Sequence, residues 1–136
     1  MSEQRQLPVV QQVITQEMVT AYAHASGDHN PIHLDAGFAA TSQFGGIVAH
    51  GMLTLAFVAQ MMSRAFGPGW SERGSLKVRF KGPAYPGDQV STWGQIVRES
   101  EAQGGRLVEC SVGLKNQSGD ELISGTASVW LPAAEG

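Results

Sequence analysis

Three side chains suited to proton transfer and hydrogen bonding lie close together near the start of the chain. Asp28, Asn30 and His33 supply an acid, an amide and an imidazole within six residues. Pro31 lies among them and prevents a regular helix from running through the group. Such a density of polar groups does little for packing and lowers stability, so we interpret this segment as a candidate active site.

The chemistry that Asp28 and His33 could share is general acid–base catalysis. On a helix, five residues of separation would turn the two side chains about 140° apart. Because Pro31 breaks that geometry and restricts Asn30 to an extended conformation, a loop could turn both toward one point. They could then hold a water, one removing a proton while the other delivers one. From the spacing alone, the favoured interpretation is an Asx-type turn, with Asp28 capping backbone groups and His33 exposed.

Metal binding and nucleophilic catalysis are weaker interpretations of the same residues. The potential metal ligands are His24, Asp28, His29, His33 and His50. The i,i+4 spacing of His29 and His33 would favour a metal site on a helix, but Pro31 removes that helix. Ser26 and Cys110 lack a neighbouring base or a nucleophile elbow. We therefore expect neither a metal nor a covalent intermediate.

A second polar feature, His50-Gly51-Met52, lies at the predicted start of a helix. The first backbone N–H groups of a helix are unpaired and carry the positive end of its dipole. Gly51 would let a ligand oxygen approach this backbone closely. A thioester carbonyl placed there would be polarised, as in an oxyanion hole. Gly51 could equally serve only tight packing between helix and sheet.

Helices are predicted in the first half of the chain. A β-favouring run, Pro8 to Ile14, precedes Thr15, which can cap a helix running toward Gly27. A short helix could cover Ala36 to Thr41. The stretch from Met52 to Phe66 is apolar on all sides, which is typical of a helix enclosed by its fold.

From Ser75 onward the hydrophobic period is two, which predicts strands. Four strands are expected near residues 76–81, 90–97, 108–114 and 123–131, joined by turns at 85–88 and 117–120. Strands joined so tightly form an antiparallel meander. One enclosed helix against a curved antiparallel sheet predicts a single α+β domain over residues 1–136.

Composition narrows the classes of partner. Charged residues are 15 % of the chain, below the roughly 25 % typical of soluble domains, which favours an oligomer that hides part of its surface. The net charge of −3 gives no general attraction to nucleic acid or to anionic membranes. Lys77, Arg79 and Lys81 share a strand face that is either solvated or in contact with phosphates of a carrier such as coenzyme A.

The expected compartment is the cytoplasm. The single Cys110 cannot form an internal disulfide, and no signal segment is visible at the start of the sequence. The window from Ile47 to Phe66 has membrane-spanning length, but it contains His50, Gln60 and Arg64. A buried helix is therefore expected there.

The segment from Tyr22 to Asp35 resembles the hydratase motif of the MaoC-like, R-specific enoyl-CoA hydratases and dehydratases. Its core appears here as Ser26-Gly27-Asp28-His29-Asn30-Pro31-Ile32-His33-Leu34-Asp35. The run Ile47-Val48-Ala49-His50-Gly51-Met52 is similar to the family's entry into its central helix. Phe80-Lys81-Gly82-Pro83 with Pro86-Gly87-Asp88 is similar to the strand and turn that follow. The resemblance covers nearly the whole chain and favours the acid–base pair over the Asx-type turn.

The resemblance implies a hot-dog fold, with a long central helix wrapped by an antiparallel sheet, usually as a dimer. It implies a hydro-lyase of fatty acid metabolism that adds water reversibly and syn to trans-2-enoyl thioesters, giving R-3-hydroxyacyl thioesters. No metal or redox cofactor is implied, because the thioester itself acidifies the α-carbon. Coenzyme A enters only as part of the substrate.

By the same resemblance, Asp28 and His33 activate the water and return a proton to the α-carbon. The resemblance leaves open which of the two residues is the base and which is the acid. Asn30 would orient groups in the site, and the Gly51 N–H would bind the thioester oxygen. His50 and Met52 would contact the substrate.

Some members carry a hydroxyl residue about two turns after the glycine, where this chain has Ala56 and Ala59. Three other functions remain open. They are a 3-hydroxyacyl-acyl-carrier-protein dehydratase subunit, which can work as a heterodimer, a hot-dog acyl-CoA thioesterase, and a non-catalytic acyl-thioester-binding subunit.

Overall fold

The computed structural model describes residues 5–133 and contains five strands and five helices in that range. The strands are β1 Gln11–Val13, β2 Gly74–Phe80, β3 Gln89–Ala102, β4 Gly105–Lys115 and β5 Glu121–Pro132. The helices are α1 Gln16–Ser26, α2 Pro31–Leu34, α3 Ala36–Ala40, α4 Gly51–Phe66 and α5 Pro68–Arg73. All strand pairs are antiparallel, in the order β1-β3-β4-β5-β2.

Alternation along the strands divides the sheet into a core face and an outer face. The side chains of Val108, Cys110, Val112 and Leu114 on β4 are buried, as the sequence predicts. A register shift between Ile96 and Arg98 interrupts the β3–β4 ladder, and such an irregularity increases local twist. The curved α+β sheet is therefore confirmed.

The predicted meander is right for β3, β4 and β5 but wrong for β2, which pairs with β5 at the far edge of the sheet. Residues 81–88 do not form a hairpin. They first continue along β5, where the Lys81 N–H donates to Leu122 O at 2.7 Å, and then cross to the other edge, where the Gly87 N–H donates to Ile14 O at 2.6 Å. Pro83 and Pro86 lack the N–H groups that a ladder needs, which explains why this segment crosses over instead of pairing.

Helix α4 packs against the core face of the sheet and forms the centre of the domain. Its buried side chains include Phe57, Val58, Met61 and Met62. A Cβ at Gly94 of β3 would lie 2.8 Å from Met61 Cε, so the glycine allows this close approach. The expectation of a helix enclosed on all sides is wrong for one face, since Met52, Ala56 and Gln60 are exposed.

Helix α4 ends at Phe66, before Gly67, whose φ of 61° is left-handed. The sequence predicts only a helix stop at this point, but Pro68 also begins α5, because proline suits the first position of a helix. Within residues 5–133, no helix is long and apolar enough to cross a membrane.

Candidate active site

Asp28 lies in a short loop that begins where α1 ends. Thr15 caps the start of α1 by accepting from Met18 N at 3.1 Å, as predicted. Gly27 ends the helix in the left-handed region, with φ of 79°, and its N–H donates to Ala23 O at 3.0 Å. This reversal turns the chain out of α1, so that Asp28 lies beside the start of α4.

The Asx-type turn considered for Asp28 is present. Asp28 Oδ1 accepts from Asn30 N at 3.2 Å, and the Asp28 N–H donates to Ser26 Oγ at 3.2 Å. These contacts use only one carboxylate oxygen. The turn therefore fixes the carboxylate and leaves its second oxygen available to a water or a substrate.

Asn30 caps helix α2, since its Oδ1 accepts from Ile32 N at 3.0 Å. Pro31 is the first residue of this helix, so in the structure it starts a helical turn, whereas α1 has already ended at Ser26. The sequence predicts a loop that carries Asp28, Asn30 and His33 together. The structure corrects this for His33, which lies on the α2 turn. Of the three candidate residues, Asp28 and Asn30 lie outside helices. The side chain of Asn30 thus serves as a helix cap, and its orienting role in the site stays a prediction.

His33 is held tightly and is not exposed, in contrast to the Asx-turn alternative. Its side chain is 9 % exposed, and its Nδ1 lies 2.7 Å from Val48 O. A carbonyl oxygen only accepts, so Nδ1 carries the proton and Nε2 of the neutral ring carries a lone pair. The backbone is fixed by Gln16, whose Nε2 donates to His33 O at 3.1 Å. His33 can therefore accept a proton at Nε2.

His50 contacts both Asp28 and His33. It precedes α4 as its N-cap residue but makes no side-chain cap hydrogen bond. Its ring stacks on His33 with centroids 3.7 Å apart and planes 23° apart, and the Tyr22 ring lies 4.9 Å away. His50 Nε2 lies 3.0 Å from the backbone oxygen of Asp28. Two sequence motifs that are separate in the chain thus form one cluster.

Side-chain oxygen or nitrogen atoms of Asp28, His33 and His50 all lie within 4.8 Å of one another. This spacing suits proton transfer through one shared water. For a metal ion the arrangement is poor, because lone pairs in two nearly parallel, stacked rings do not converge well on one point. The distances therefore fit the acid–base interpretation better than the metal interpretation, and the expected lack of a metal stays a prediction.

Gly51 begins α4 at the edge of the same cluster. Within residues 5–133, no protein group accepts from its N–H, so this donor and the positive helix end face a ligand or solvent. A Cβ at this position would lie 3.1 Å from Phe80 Cε1. Met52, the next residue, is 59 % exposed.

Two cavities meet at Gly51 and Phe80. One, of about 300 Å³, is lined by Asp28, His33, His50 and Met52 among others. The other, of about 350 Å³, is mainly apolar and extends toward Phe44 and Thr54. A thioester at Gly51 could thus have its reacting carbons beside the polar cluster and an apolar portion in the second cavity.

The sequence reasoning missed Phe80 and Thr54 as lining residues. Phe80 is the last of the alternating apolar residues on β2. It is 53 % exposed, because it lies at the end of the strand, beyond the part of the sheet that the helices cover. Thr54 is 5 % exposed, and its hydroxyl donates to Gly51 O at 2.7 Å. One helical turn from Gly51, Thr54 supplies a hydroxyl, whereas Ala56 is exposed and has none. The i,i+3 spacing from Gly51 was the available signal.

Cys110 and Asp88 have structural roles. Cys110 is buried in the core, where burial first and Glu99 second raise the pKa of its thiol to about 11, with Arg5 opposing them. Asp88 stabilises its turn by accepting from Tyr85 N at 2.9 Å. Lys77, Arg79 and Lys81 are exposed, and Lys81 pairs with Glu121 at 3.4 Å, so their contact with phosphates of a carrier stays a prediction.

Comparison with known proteins identifies a family for this chain. The family described as MaoC like domain matches residues 2–118. An (R)-specific enoyl-CoA hydratase of Aeromonas caviae is 32 % identical over 118 residues, 84 % of each chain. A 3-hydroxybutyryl-CoA dehydratase of Methylorubrum extorquens is 33 % identical over 131 residues, 93 % of this chain and 79 % of that protein.

Among solved structures, the (R)-hydratase from A. caviae involved in PHA biosynthesis has a TM-score of 0.83 to this chain. The identity is 26 %, over 97 % of this chain and 98 % of the other. The chain belongs to the MaoC-like dehydratase family. The hot-dog fold expected from the sequence is confirmed.

Proposed function

We propose that this protein is an R-specific enoyl-thioester hydratase, a hydro-lyase that adds water reversibly and syn to trans-2-enoyl thioesters. The observation that carries this function is the convergence of Asp28 and His33 on the cavity that Gly51 also lines, where the Gly51 N–H has no acceptor within residues 5–133. Acid–base groups and an oxyanion donor on one cavity are what this addition requires. The relatives' activities support the same reaction.

The reaction follows from these groups. A water held between the Asp28 carboxylate and His33 Nε2 loses a proton to one of them as its oxygen bonds to the β-carbon. Electrons move to the thioester oxygen, where the Gly51 N–H and the helix dipole stabilise the developing enolate. A proton from the pair then reaches the α-carbon on the same face. Atoms and charge balance without a redox or metal cofactor.

The substrate's acyl part is proposed to lie in the apolar cavity that reaches Phe44 and Thr54. This cavity, of about 350 Å³, adjoins Gly51, and its surface is predominantly apolar. Coenzyme A is the proposed carrier, since the curated relatives reported above are named for coenzyme A thioesters. Acyl carrier protein is the alternative carrier.

We propose one catalytic domain over residues 1–136 that works as a homodimer in the cytoplasm. Strand β2 is a sheet edge with no partner on its outer side within residues 5–133. Phe80, which ends this strand, is 53 % exposed, and Met52 is 59 % exposed. A second copy pairing along β2 would cover such an edge. A reducing compartment suits the buried, unpaired Cys110.

The test is a hydration assay on the purified protein with crotonyl-CoA and longer trans-2-enoyl-CoA esters, repeated with acyl-carrier-protein thioesters. We expect loss of the enoyl absorbance and an R-3-hydroxyacyl product on chiral analysis. Release of free thiol without hydration would instead indicate a thioesterase, and an inactive dimer would indicate a non-catalytic subunit. Light scattering of the active protein tests the homodimer separately.

A further inference from the structure

We propose that His50 is a positioning residue that holds Asp28 and His33 in register for catalysis without itself exchanging protons with the substrate. The proposal rests on the hydratase function above and changes the role expected for His50 from the sequence, which was contact with the substrate. Its basis is the set of contacts that the His50 ring makes.

The first contact holds the loop that carries Asp28. His50 Nε2 lies 3.0 Å from Asp28 O, and because that carbonyl only accepts, Nε2 must carry the proton. The other hydrogen bonds at Asp28 reach only to Ser26 and Asn30, two residues away. Among the described residues, the His50 contact is thus the hydrogen bond that ties Asp28 to a distant part of the chain. Without it, the loop would be held only by its own turn.

The second contact holds the ring of His33. The rings of His33 and His50 stack at 3.7 Å, and the Tyr22 ring lies 4.9 Å from His50 on a tilted plane. The hydrogen bond from His33 Nδ1 to Val48 O fixes one edge of the His33 ring. The stack restricts rotation about that bond, so that Nε2 keeps one direction. One side chain therefore restrains both members of the pair.

The third observation concerns the free nitrogen of His50. The side chain is 2 % exposed, and Nδ1 has no hydrogen-bond partner within residues 5–133. A buried polar atom without a partner lowers stability. Such a feature persists where the arrangement serves function. The helix start does not explain it either, since His50 makes no side-chain cap bond to α4.

Two variants separate the donor from the ring. His50→Phe keeps an aromatic ring against His33 but cannot donate to Asp28 O. His50→Gln carries an Nε2 donor that can reach this oxygen but loses the stack. We expect His50→Phe to lower kcat for crotonyl-CoA hydration by roughly 10²-fold, because a displacement near 1 Å has that effect, with KM nearly unchanged. His50→Gln should recover part of the loss.

A control variant, a folding measurement and an NMR measurement accompany the two His50 variants. His24→Phe makes the same substitution at an exposed histidine on α1 and should leave kcat, KM and the melting temperature at parental values. Circular dichroism melting of each His50 variant shows whether it is folded. Nitrogen NMR of the His33 ring gives a readout independent of turnover. The parental ring and that of His50→Phe, which keeps the stack, should show one tautomer, protonated at Nδ1, and His50→Gln, which loses the stack, should show a mixture.

The possible results distinguish a positioning role of His50 from contact with the substrate. A folded His50→Phe with parental kcat, or with a raised KM at parental kcat, would overturn the positioning role, and the second result would restore the substrate-contact role. A parental protein that hydrates no thioester would refute the hydratase function and leave the NMR comparison to decide whether His50 orders His33. An unchanged His33 tautomer in folded His50→Gln would overturn the restraint of His33 by the stack on its own.

Discussion

The ring of Phe80 lies against the backbone of Gly51, so closely that a Cβ on residue 51 would lie 3.1 Å from Phe80 Cε1. Phe80 ends strand β2 and Gly51 begins helix α4, so this contact joins the sheet edge to the central helix. Both cavities of the site are lined by these two residues. The contact therefore controls the space in which a thioester oxygen would meet the Gly51 N–H.

Replacing Gly51 by Ala should reduce activity much more than stability. The backbone of Gly51 is not left-handed, and the Phe80 ring is half-exposed and can move by a few tenths of an ångström. The added methyl would crowd the oxyanion position, and we expect kcat/KM to fall at least ~10-fold, toward the ~10² seen when one such donor is lost. Steady-state hydration kinetics measure the effect.

The matched control is Gly46→Ala, because a Cβ there meets nothing within 4 Å and the backbone is not left-handed. It should have parental kinetics. If Gly51→Ala and Gly46→Ala hydrate crotonyl-CoA equally fast, the oxyanion role of Gly51 is wrong.

Asp28→Asn and His33→Gln should each lower kcat by at least ~10²-fold, since each removes one partner of the acid–base pair. Asp28→Asn keeps an oxygen that can accept from Asn30 N, so the turn should survive. The double variant should lose little more than either single variant, because the two residues act as one unit. Rates of all three, compared at equal folded fraction by circular dichroism, measure this.

His29→Gln is the appropriate control, because His29 is exposed in the same loop and does not line the cavity of about 300 Å³. It should have parental activity. Full activity in folded Asp28→Asn would contradict the site assignment, whereas losses that simply multiplied in the double variant would contradict a shared water.

The sequence predicts the local features of this protein better than its long-range contacts. The caps at Thr15 and Gly27 and the alternation on β4 were readable because they depend on neighbouring residues. The stack of His33 on His50 was not, because seventeen residues separate them in the chain. The pairing of β2 with β5 was also missed, since turn residues at 85–88 fit a hairpin and a crossover alike.

The same distinction between local features and long-range contacts applies to the residues of the candidate site. Residue types placed Asp28 and His33 as candidates, and the family resemblance favoured catalysis over an Asx turn. The structure contains the Asx turn, and because the turn uses one of the two Asp28 oxygens, it is compatible with the catalytic role, which stays a prediction. The position of Phe80 depends on how a sheet edge meets a helix, which spacing along one element does not encode, whereas the i,i+3 spacing from Gly51 does indicate Thr54.

Gly125→Ala should destabilise the edge that places Phe80. A Cβ on Gly125 of β5 would lie 2.2 Å from Lys77 O and 2.7 Å from Val78 Cα, both backbone atoms of β2 that cannot move independently. We expect a loss of about 1–3 kcal/mol, typical of overpacking, and a Tm lower by roughly 5–10 °C. Thermal melting followed by circular dichroism measures it. Gly46→Ala again serves as control, and a parental Tm for Gly125→Ala would contradict the close approach of the two strands.

Cys110 should make the stability of the fold sensitive to alkaline pH. Burial, with a smaller contribution from Glu99, raises the pKa of its thiol from 9.0 to about 11. Between these values the unfolded chain releases the thiol proton while the folded chain keeps it. The stabilisation is therefore complete below about pH 9 and is lost as the pH rises toward about 11.

Urea unfolding of the parental protein and of Cys110→Ala at pH 8 and pH 10.5 tests this expectation. Other alkaline groups titrate in both proteins, so the difference between their losses reports the thiol. The parental protein should lose about 1–2 kcal/mol more than Cys110→Ala over this interval. Iodoacetamide should also alkylate the folded parental thiol far more slowly than the urea-unfolded one at pH 8, because the thiolate is the nucleophile and the side chain is 1 % exposed. Equal pH dependence in both proteins, or rapid alkylation of the folded protein, would show that the thiol is not held in its neutral form by the core.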